Sequence, residues 1–153
     1  MQIIYPVHLA WVGFMLLAVV DFWWFEFRLN LIPSWNFNIY VFVLFYASLY
    51  FFACTLLFPD SMDEYAGYRD YFMSRRGWFF AILALIFIID IADTRLKGPE
   101  YYNSYGLEYP LRNVLIVAGS LVAMFTRNQR FHGLFVISAL VYEIMFIWQE
   151  TLD

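Results

Sequence analysis

The sequence predicts an all-α membrane protein, a bundle of about five transmembrane helices with a short interfacial amphipathic helix. Hydrophobic residues make up 63% of the 153-residue chain and charged residues 14%, whereas charged residues are roughly 25% of an ordinary soluble domain. The mean hydropathy is +0.64. The apolar residues are gathered in segments close to the roughly 20 residues that a helix needs to cross a bilayer. Residues 1–153 are therefore treated as one transmembrane domain.

Five apolar segments are the predicted spans, and they cover approximately residues 3–25, 39–58, 77–93, 112–126 and 131–148. The second span stops at Pro59, because proline has no backbone N–H to continue a helix. The polar turn TRNQR joins the fourth and fifth spans, which predicts an antiparallel hairpin. Four crossings are the alternative, with one short segment re-entrant or interfacial.

Between the second and third spans, residues 61–74 predict a short helix in the membrane interface. Ser61 and Glu64 have the S-x-x-E spacing of a capping box just after a proline. Apolar and aromatic residues then recur at helical spacing as far as Phe72. This helix is either a spacer at the membrane surface or a docking surface for a partner. The candidate docking residues are Tyr65, Tyr68, Phe72, Arg75 and Arg76.

Basic residues predict the orientation of the bundle. We call the N-terminal side of the membrane side A and the opposite side B. Five crossings place five arginines on side A, and three arginines and one lysine on side B. Because cytoplasmic loops carry an excess of basic residues, the N-terminus is predicted to be cytoplasmic.

Carboxylates inside the predicted spans are the strongest candidates for a functional site, since an ionised group there costs roughly 2.5–3.5 kcal/mol on insertion scales. Asp21, Asp90 and Glu143 lie on three spans that run in the same direction. With a helical rise of about 1.5 Å per residue, all three fall in the half of the membrane near side B. They predict one intramembrane polar site, unless they serve only in ion pairs or in contact with another subunit. The candidate pairing partners are Arg28, Arg95 and Arg112.

Two of these acids differ in their surroundings. Asp21 precedes Trp23 and Trp24, and tryptophans favour the headgroup level. That stretch indicates a membrane exit where the carboxylate reaches water or Arg28. Glu143 lies in SALVYEIMFIW, among apolar neighbours, and is the sharper candidate.

Several classes of site are disfavoured. The net charge is −4 and no basic cluster is present, which argues against nucleic acid. Two histidines and one cysteine cannot supply a zinc site of the usual spacing. His8 and His132 on facing helices could ligate a b-type haem, but both lie near side A, shallower than such a haem needs. No cofactor or metal is predicted.

The function favoured by the sequence is non-catalytic: a subunit, scaffold or assembly factor of a membrane complex, or a homo-oligomer. Its partners would be the lipid bilayer and other membrane subunits or a second copy of the chain. The alternative is a small transporter or channel-like protein that uses the membrane-embedded carboxylates. A lipid- or quinone-interacting membrane enzyme is the second alternative, although no enzyme motif occurs in the sequence.

Four stretches carry a resemblance to a protein family: YPVHLAWV, FWW, LYFFACTLLFPD and YRDYFMSRRGWFFAILALIFIIDI. They resemble small multi-pass bacterial inner-membrane proteins to which no activity is attached. The most specific parts are the pair Trp23 and Trp24, the LLFP sequence that ends at Pro59, and the run Y-x-x-x-R-R-x-W-F-F. The resemblance implies an inner (plasma) membrane location and supports side A as cytoplasmic. It transfers no functional residue.

Overall fold

The computed structural model describes residues 4–152, with side chains described for 4–150, and this part of the chain is all-α with no strand. A short 3-10 helix, Phe27–Leu31, follows the first α-helix. The α-helices are α1 (Pro6–Glu26), α2 (Phe37–Leu57), α3 (Tyr68–Leu96), α4 (Pro99–Asn103), α5 (Glu108–Phe125) and α6 (Gln129–Leu152).

Local sequence signals set where these helices begin. Pro6 is the first residue of α1. Proline suits this position, because a backbone N–H in the first turn of a helix has no hydrogen-bond partner within the helix. Asn36 caps α2, because its side-chain oxygen accepts a hydrogen bond from the backbone N–H of Ile39 at 3.0 Å. Asn128 does the same for α6 by accepting from the N–H of Arg130 at 3.0 Å.

Three helical stretches in the described range are long and apolar enough to cross a membrane. They are Pro6–Leu31, Phe37–Leu57 and Gln129–Glu150, with mean hydropathies of 1.6, 2.0 and 1.8. Their outer faces expose large apolar side chains; Leu16 is 61% exposed and Phe51 is 64% exposed. Because a soluble protein does not tolerate such a surface, these helices indicate a membrane protein.

The five long helices of the described range form a ring. The longest, α3, packs between α2 and α5, and α1 packs between α2 and α6. A smaller contact between α5 and α6 closes the ring. The short helix α4 packs on α3 at the end where the chain turns back into α5.

An aromatic core around Trp11 holds α1, α3 and α6 together. Trp11 is fully buried, and its ring meets Phe79, Phe80 and Phe135 edge-on at centroid distances of 5.5, 5.3 and 5.4 Å. Such pairs contribute about 0.5–1.5 kcal/mol each beyond the burial of apolar area. The three helices fixed in this way are the ones that carry Asp21, Asp90 and Glu143.

The separate interfacial helix predicted for 61–74 is wrong. Residues 61–67 contain turns and bends, and α3 begins at Tyr68 and runs without a break through the predicted third span. Ser61 does not form a capping box, because its hydroxyl oxygen accepts from the N–H of Asp63 at 3.2 Å. That local turn competes with a helix start.

Helices α5 and α6 approach each other closely at Gly119. A Cβ atom placed there would lie 2.7 Å from Cε1 and 2.9 Å from Cζ of the Phe135 ring. At Gly133 on α6, by contrast, an added Cβ meets nothing within 4 Å. The absence of a side chain at Gly119 is therefore what lets Phe135 reach Trp11.

We expect Gly119→Leu to destabilise the protein by about 1–3 kcal/mol, because overpacking forces the Phe135 ring out of the core. The measurement is thermal unfolding in detergent, with Gly133→Leu as the matched control. The destabilisation should shrink when Gly119→Leu is introduced into a Phe135→Ala background. An equal effect in both backgrounds would contradict this packing.

Candidate functional site

The three predicted carboxylates meet inside the bundle, near the end of α3 that leads into α4. The carboxyl groups of Asp21 on α1 and Glu143 on α6 are near enough to interact electrostatically, and Asp90 on α3 interacts with both. Glu143 is only 4% exposed. The predicted convergence of these three residues is therefore present in the structure.

The Asp90 carboxylate on α3 accepts hydrogen bonds from donors on two other helices, α2 and α5. Its Oδ1 accepts from the Tyr46 hydroxyl at 2.8 Å, and its Oδ2 accepts from Nδ2 of Asn113 at 3.0 Å. The Tyr109 hydroxyl also donates to Oδ2, and Nη2 of Arg112 approaches it at 3.5 Å. These four donors satisfy the acceptor capacity of one carboxylate.

Arg112 is buried beside the three acids and is held on several sides. It is 8% exposed, and its Nε donates to Oδ1 of Asn113 at 2.9 Å. The guanidinium lies 4.9 Å from the ring centroid of Phe146 and 5.2 Å from that of Tyr109. These contacts fix one positive charge between Asp90 and Glu143, both of which interact with it electrostatically.

Lys97 forms a second buried ionic cluster next to the first. Its Nζ lies 2.8 Å from Oδ2 of Asp93 and 3.0 Å from Oε1 of Glu26. Burial opposes the charge of the ammonium, but the charges and hydrogen bonds of the two carboxylates outweigh it and raise the pKa of Lys97. The remaining oxygens, Oε2 of Glu26 and Oδ1 of Asp93, have no donor among the described residues. The two carboxyl groups are near enough to interact electrostatically.

The sequence pattern does not reveal this second cluster. The polar residues around Asp93 are typical of a helix end that reaches water, yet Asp93 is 1% exposed. The i, i+4 spacing of Asp93 and Lys97 on the end of α3 is a usable signal. The contact with Glu26, 71 residues away along the chain, has no local signal.

Both ionic clusters line one small cavity of about 40 Å³. A water molecule needs at least roughly 10–15 Å³ of such space and two to four polar partners, so the cavity has room for a few waters or one small cation. Its polar lining comprises the hydroxyls of Thr94 and five tyrosines together with the charged residues Asp21, Glu26, Asp90, Asp93, Lys97 and Arg112. Its apolar lining comprises Phe22, Phe25 and Phe146.

The two clusters together contain more acids than bases. The five carboxyl groups are those of Asp21, Glu26, Asp90, Asp93 and Glu143, and the two cations are Lys97 and Arg112. Five carboxyl groups against two cations leave an excess of acids in this part of the bundle. Protons or small monovalent cations bound there would balance the excess negative charge.

A groove between α5, α6 and the chain leaving α4 leads toward this cavity. It has a volume of about 350 Å³ and is lined in part by Glu108 and Glu150. The groove and the cavity share three lining residues, Tyr105, Tyr109 and Phe146. These aromatic side chains are therefore the wall between the two spaces.

Burial, followed by the hydrogen bond with Tyr101, raises the pKa of Tyr105, so that its phenol stays neutral.

The segment that covers the cavity is flanked by two glycines. Gly98 has φ 122° and Gly106 has φ 67°, the positive range that side chains disfavour. Between them lies α4, whose Tyr101 ring sits 5.8 Å from Nζ of Lys97. The Tyr105 hydroxyl donates to that of Tyr101 at 2.8 Å.

Two of the three predicted pairing partners are wrong. None of the ion pairs among the described side chains joins Arg28 or Arg95 to Asp21, Asp90 or Glu143. Arg28 lies two helical turns beyond Asp21, which faces Glu143 instead. The Arg95 guanidinium stacks over the Tyr102 ring at 5.0 Å. Only Arg112 pairs as predicted.

The docking surface predicted around Phe72 is also wrong in its central residue. Phe72 is 2% exposed and packs in the core against Phe80. Tyr68 stacks on His8 with ring centroids 5.3 Å apart. Tyr65 accepts a hydrogen bond from Nη2 of Arg75 at 3.3 Å. Arg75 is exposed, whereas Arg76 is partly buried.

His8 and His132 both bind the last carbonyls of helices. Nε2 of His8 lies 2.6 Å from the carbonyl oxygen of Leu57, at the end of α2. Nε2 of His132 lies 2.9 Å from that of Thr126, at the end of α5. The ring of Phe72 is packed against both imidazoles. The two histidines therefore join helix ends that would otherwise have free carbonyl groups.

Comparisons with known proteins add no relative to this picture. A scan against protein-family models matches no family. A search of curated proteins and a search of solved structures also find no similar protein.

We expect Arg112→Gln to destabilise the protein by about 3–5 kcal/mol, because it leaves buried acids without their cation. Glu143→Gln and Asp21→Asn remove surplus negative charge and should be neutral within about 1 kcal/mol. Thermal unfolding in detergent compares the three variants. If Glu143→Gln were as damaging as Arg112→Gln, the acid pair would be a structural requirement and the charge excess would be refuted.

Proposed function

We propose that this chain is a small five-span membrane transport protein in which the buried carboxylates bind and release a proton or a small monovalent cation. The observation that carries this proposal is the surplus of carboxyl groups at the cavity inside the bundle. Four carboxyl groups line this cavity against two cations, and Glu143 interacts electrostatically with Arg112 and Asp90 beside it. An ionisable group inside a membrane is expensive and is retained where it serves a function. A surplus of one sign leaves a position for a mobile positive charge.

The five-span arrangement is part of this proposal. Asp21, Asp90 and Glu143 lie in the later halves of α1, α3 and α6, so their proximity supports the same direction for these three helices across the bilayer. The chain between α3 and α6 must then cross back once, and α5 is the helix available for that crossing. With side A cytoplasmic, the bundle would lie in the bacterial inner membrane, as its family resemblance implies.

The geometry favours transport over the purely structural role that the sequence favoured. That preference depended on the lack of any evident site, and the cavity with its two ionic clusters supplies one. The scaffold or subunit role remains compatible with the apolar outer surface. No observation among the described residues supports a quinone- or lipid-modifying enzyme. The Tyr46 hydroxyl, a polar group that such a site could use, already donates a hydrogen bond to Asp90.

Access is proposed to be from side B. The groove beside α6 is acidic, which concentrates cations at its mouth. The aromatic wall formed by Tyr105, Tyr109 and Phe146 separates it from the cavity. Movement of the chain between Gly98 and Gly106 would open this wall, because these two glycines tolerate backbone change at both ends of the segment.

The transport proposal predicts a flux in proteoliposomes under an imposed membrane potential. Proton flux is measured with a trapped pH-sensitive dye, and sodium or potassium flux with an ion-selective dye. Glu143→Gln and Asp21→Asn should lower the flux at least tenfold. Glu64→Gln and Asp63→Asn, two exposed acids on side A, are the matched controls and should leave it unchanged. Wild-type flux equal to that of empty liposomes, or unchanged flux in Glu143→Gln, would refute the proposal.

The access route predicts a different result, obtained with a membrane-impermeant cationic thiol reagent. In a Cys54→Ser background, a cysteine replacing the exposed groove residue Ser104 should react from side B and block the flux. A cysteine replacing Ser61 on side A should react only from the other side and leave the flux intact. Inhibition through Ser61→Cys but not Ser104→Cys would place the entrance on side A and contradict the route.

A further inference from the structure

A groove on side A is separate from the acidic cavity and has the opposite charge. It has a volume of about 510 Å³ and is formed by the start of α1, the start of α3 and the turn between α5 and α6. The Tyr5 hydroxyl donates to the side-chain oxygen of Gln129, which joins α1 to the beginning of α6 at this point. Three parts of the chain thus form one surface depression.

Two arginines line this groove without a carboxylate partner. Arg69 comes from α3 and Arg127 from the turn before α6. None of the ion pairs among the described side chains includes either of them, in contrast to Lys97 and Arg112 at the other end of the bundle. Uncompensated positive charge at a membrane surface attracts anionic headgroups.

A third arginine, Arg76, is near enough to Arg127 to interact with it electrostatically. Burial, and then the like charge of Arg127, lowers the pKa of Arg76. Its Nε is buried with no hydrogen-bond acceptor among the described residues. An anion held in front of Arg127 would relieve the repulsion between the two guanidinium groups.

The beginning of α3 also faces this groove. α3 has 29 residues and its N-cap, Gly67, offers no side chain to bond the free N–H groups of the first turn. A helix N-terminus carries partial positive charge and orients backbone N–H groups toward an anion. The one acid in the lining, Asp70, accepts from the N–H of Ala66 at 3.2 Å, and the groove remains net basic.

The floor of the groove is apolar, because Met73 and Ile4 contribute to its lining. Ile4 is 65% exposed. A free phosphate ion would gain nothing from this surface, whereas the glycerol and acyl carbons of a lipid would cover it. Anionic phospholipids are also the ligands that basic pockets between membrane helices bind on the cytoplasmic side.

We propose that this groove binds the phosphodiester headgroup of an anionic phospholipid between Arg69 and Arg127. The lipid would join α1, α3 and the α5–α6 turn on the side of the membrane opposite the acidic cavity. The proposal does not depend on the transport function.

The test is native mass spectrometry of the full chain, delipidated in mild detergent and then mixed with phosphatidylglycerol or with phosphatidylcholine. We expect phosphatidylglycerol to be retained roughly tenfold more than phosphatidylcholine. Arg69→Gln combined with Arg127→Gln should abolish this preference. Arg28→Gln, an exposed arginine on side B, is the matched control and should preserve it.

Three outcomes would overturn the proposal. They are equal retention of the two lipids, an undiminished preference in the double variant, and displacement of phosphatidylglycerol by millimolar inorganic phosphate, which would indicate a site for a free anion. If the double glutamine variant does not fold, Arg69→Gln and Arg127→Gln are tested singly. Each should lower the preference, and Arg69→Lys and Arg127→Lys should retain most of it.

Discussion

The structure depends on how the bundle accommodates more buried acids than buried bases. In a low-dielectric interior an unpaired carboxylate is costly, and Arg112 is the cation placed beside Asp90 and Glu143. This requirement connects α1, α3, α5 and α6 through charge. The cluster of Lys97, Asp93 and Glu26 also has more acids than bases, and it lies at the C-terminal end of α3. Residues of both clusters line the same cavity. A change of charge in one cluster therefore changes the electrostatic potential at the other.

Packing and hydrogen bonds elsewhere in the bundle hold the helices that carry this arrangement. Around Trp11 the packed aromatic rings hold α1, α3 and α6 in register on the side A half of the bundle. His8 and His132 bind the carbonyl ends of α2 and α5 on the same half. The side B half is different, because it contains the cavity, the acidic groove and the glycine-flanked α4.

The sequence was sufficient to predict the helical class and the meeting of three acids, but it did not predict the second cluster. Span direction and a fixed rise per residue determine depth, so counting residues along each span places Asp21, Asp90 and Glu143 in the same half of the membrane.

Side-chain direction is set by packing, which the sequence alone does not show. For that reason the proposed pairing of Arg28 and Arg95 was wrong, the ion pair of Glu26 with Lys97 was missed, and Phe72 was placed at a surface instead of in the core. The helix predicted for 61–74 was wrong for another reason: the capping-box spacing at Ser61 is satisfied equally well by a local turn.

We propose that Asp21 and Glu143 hold a proton at neutral pH, because five carboxyl groups outnumber the two cations beside them. Infrared spectroscopy tests this directly, because a protonated carboxyl group has a C=O stretching band separate from those of carboxylates and amides. We expect such a band in the purified wild-type protein, shifted in heavy water and clearly weaker in Glu143→Gln. A spectrum with no protonated carboxyl band at neutral pH, or with a band that Glu143→Gln leaves unchanged, would contradict it.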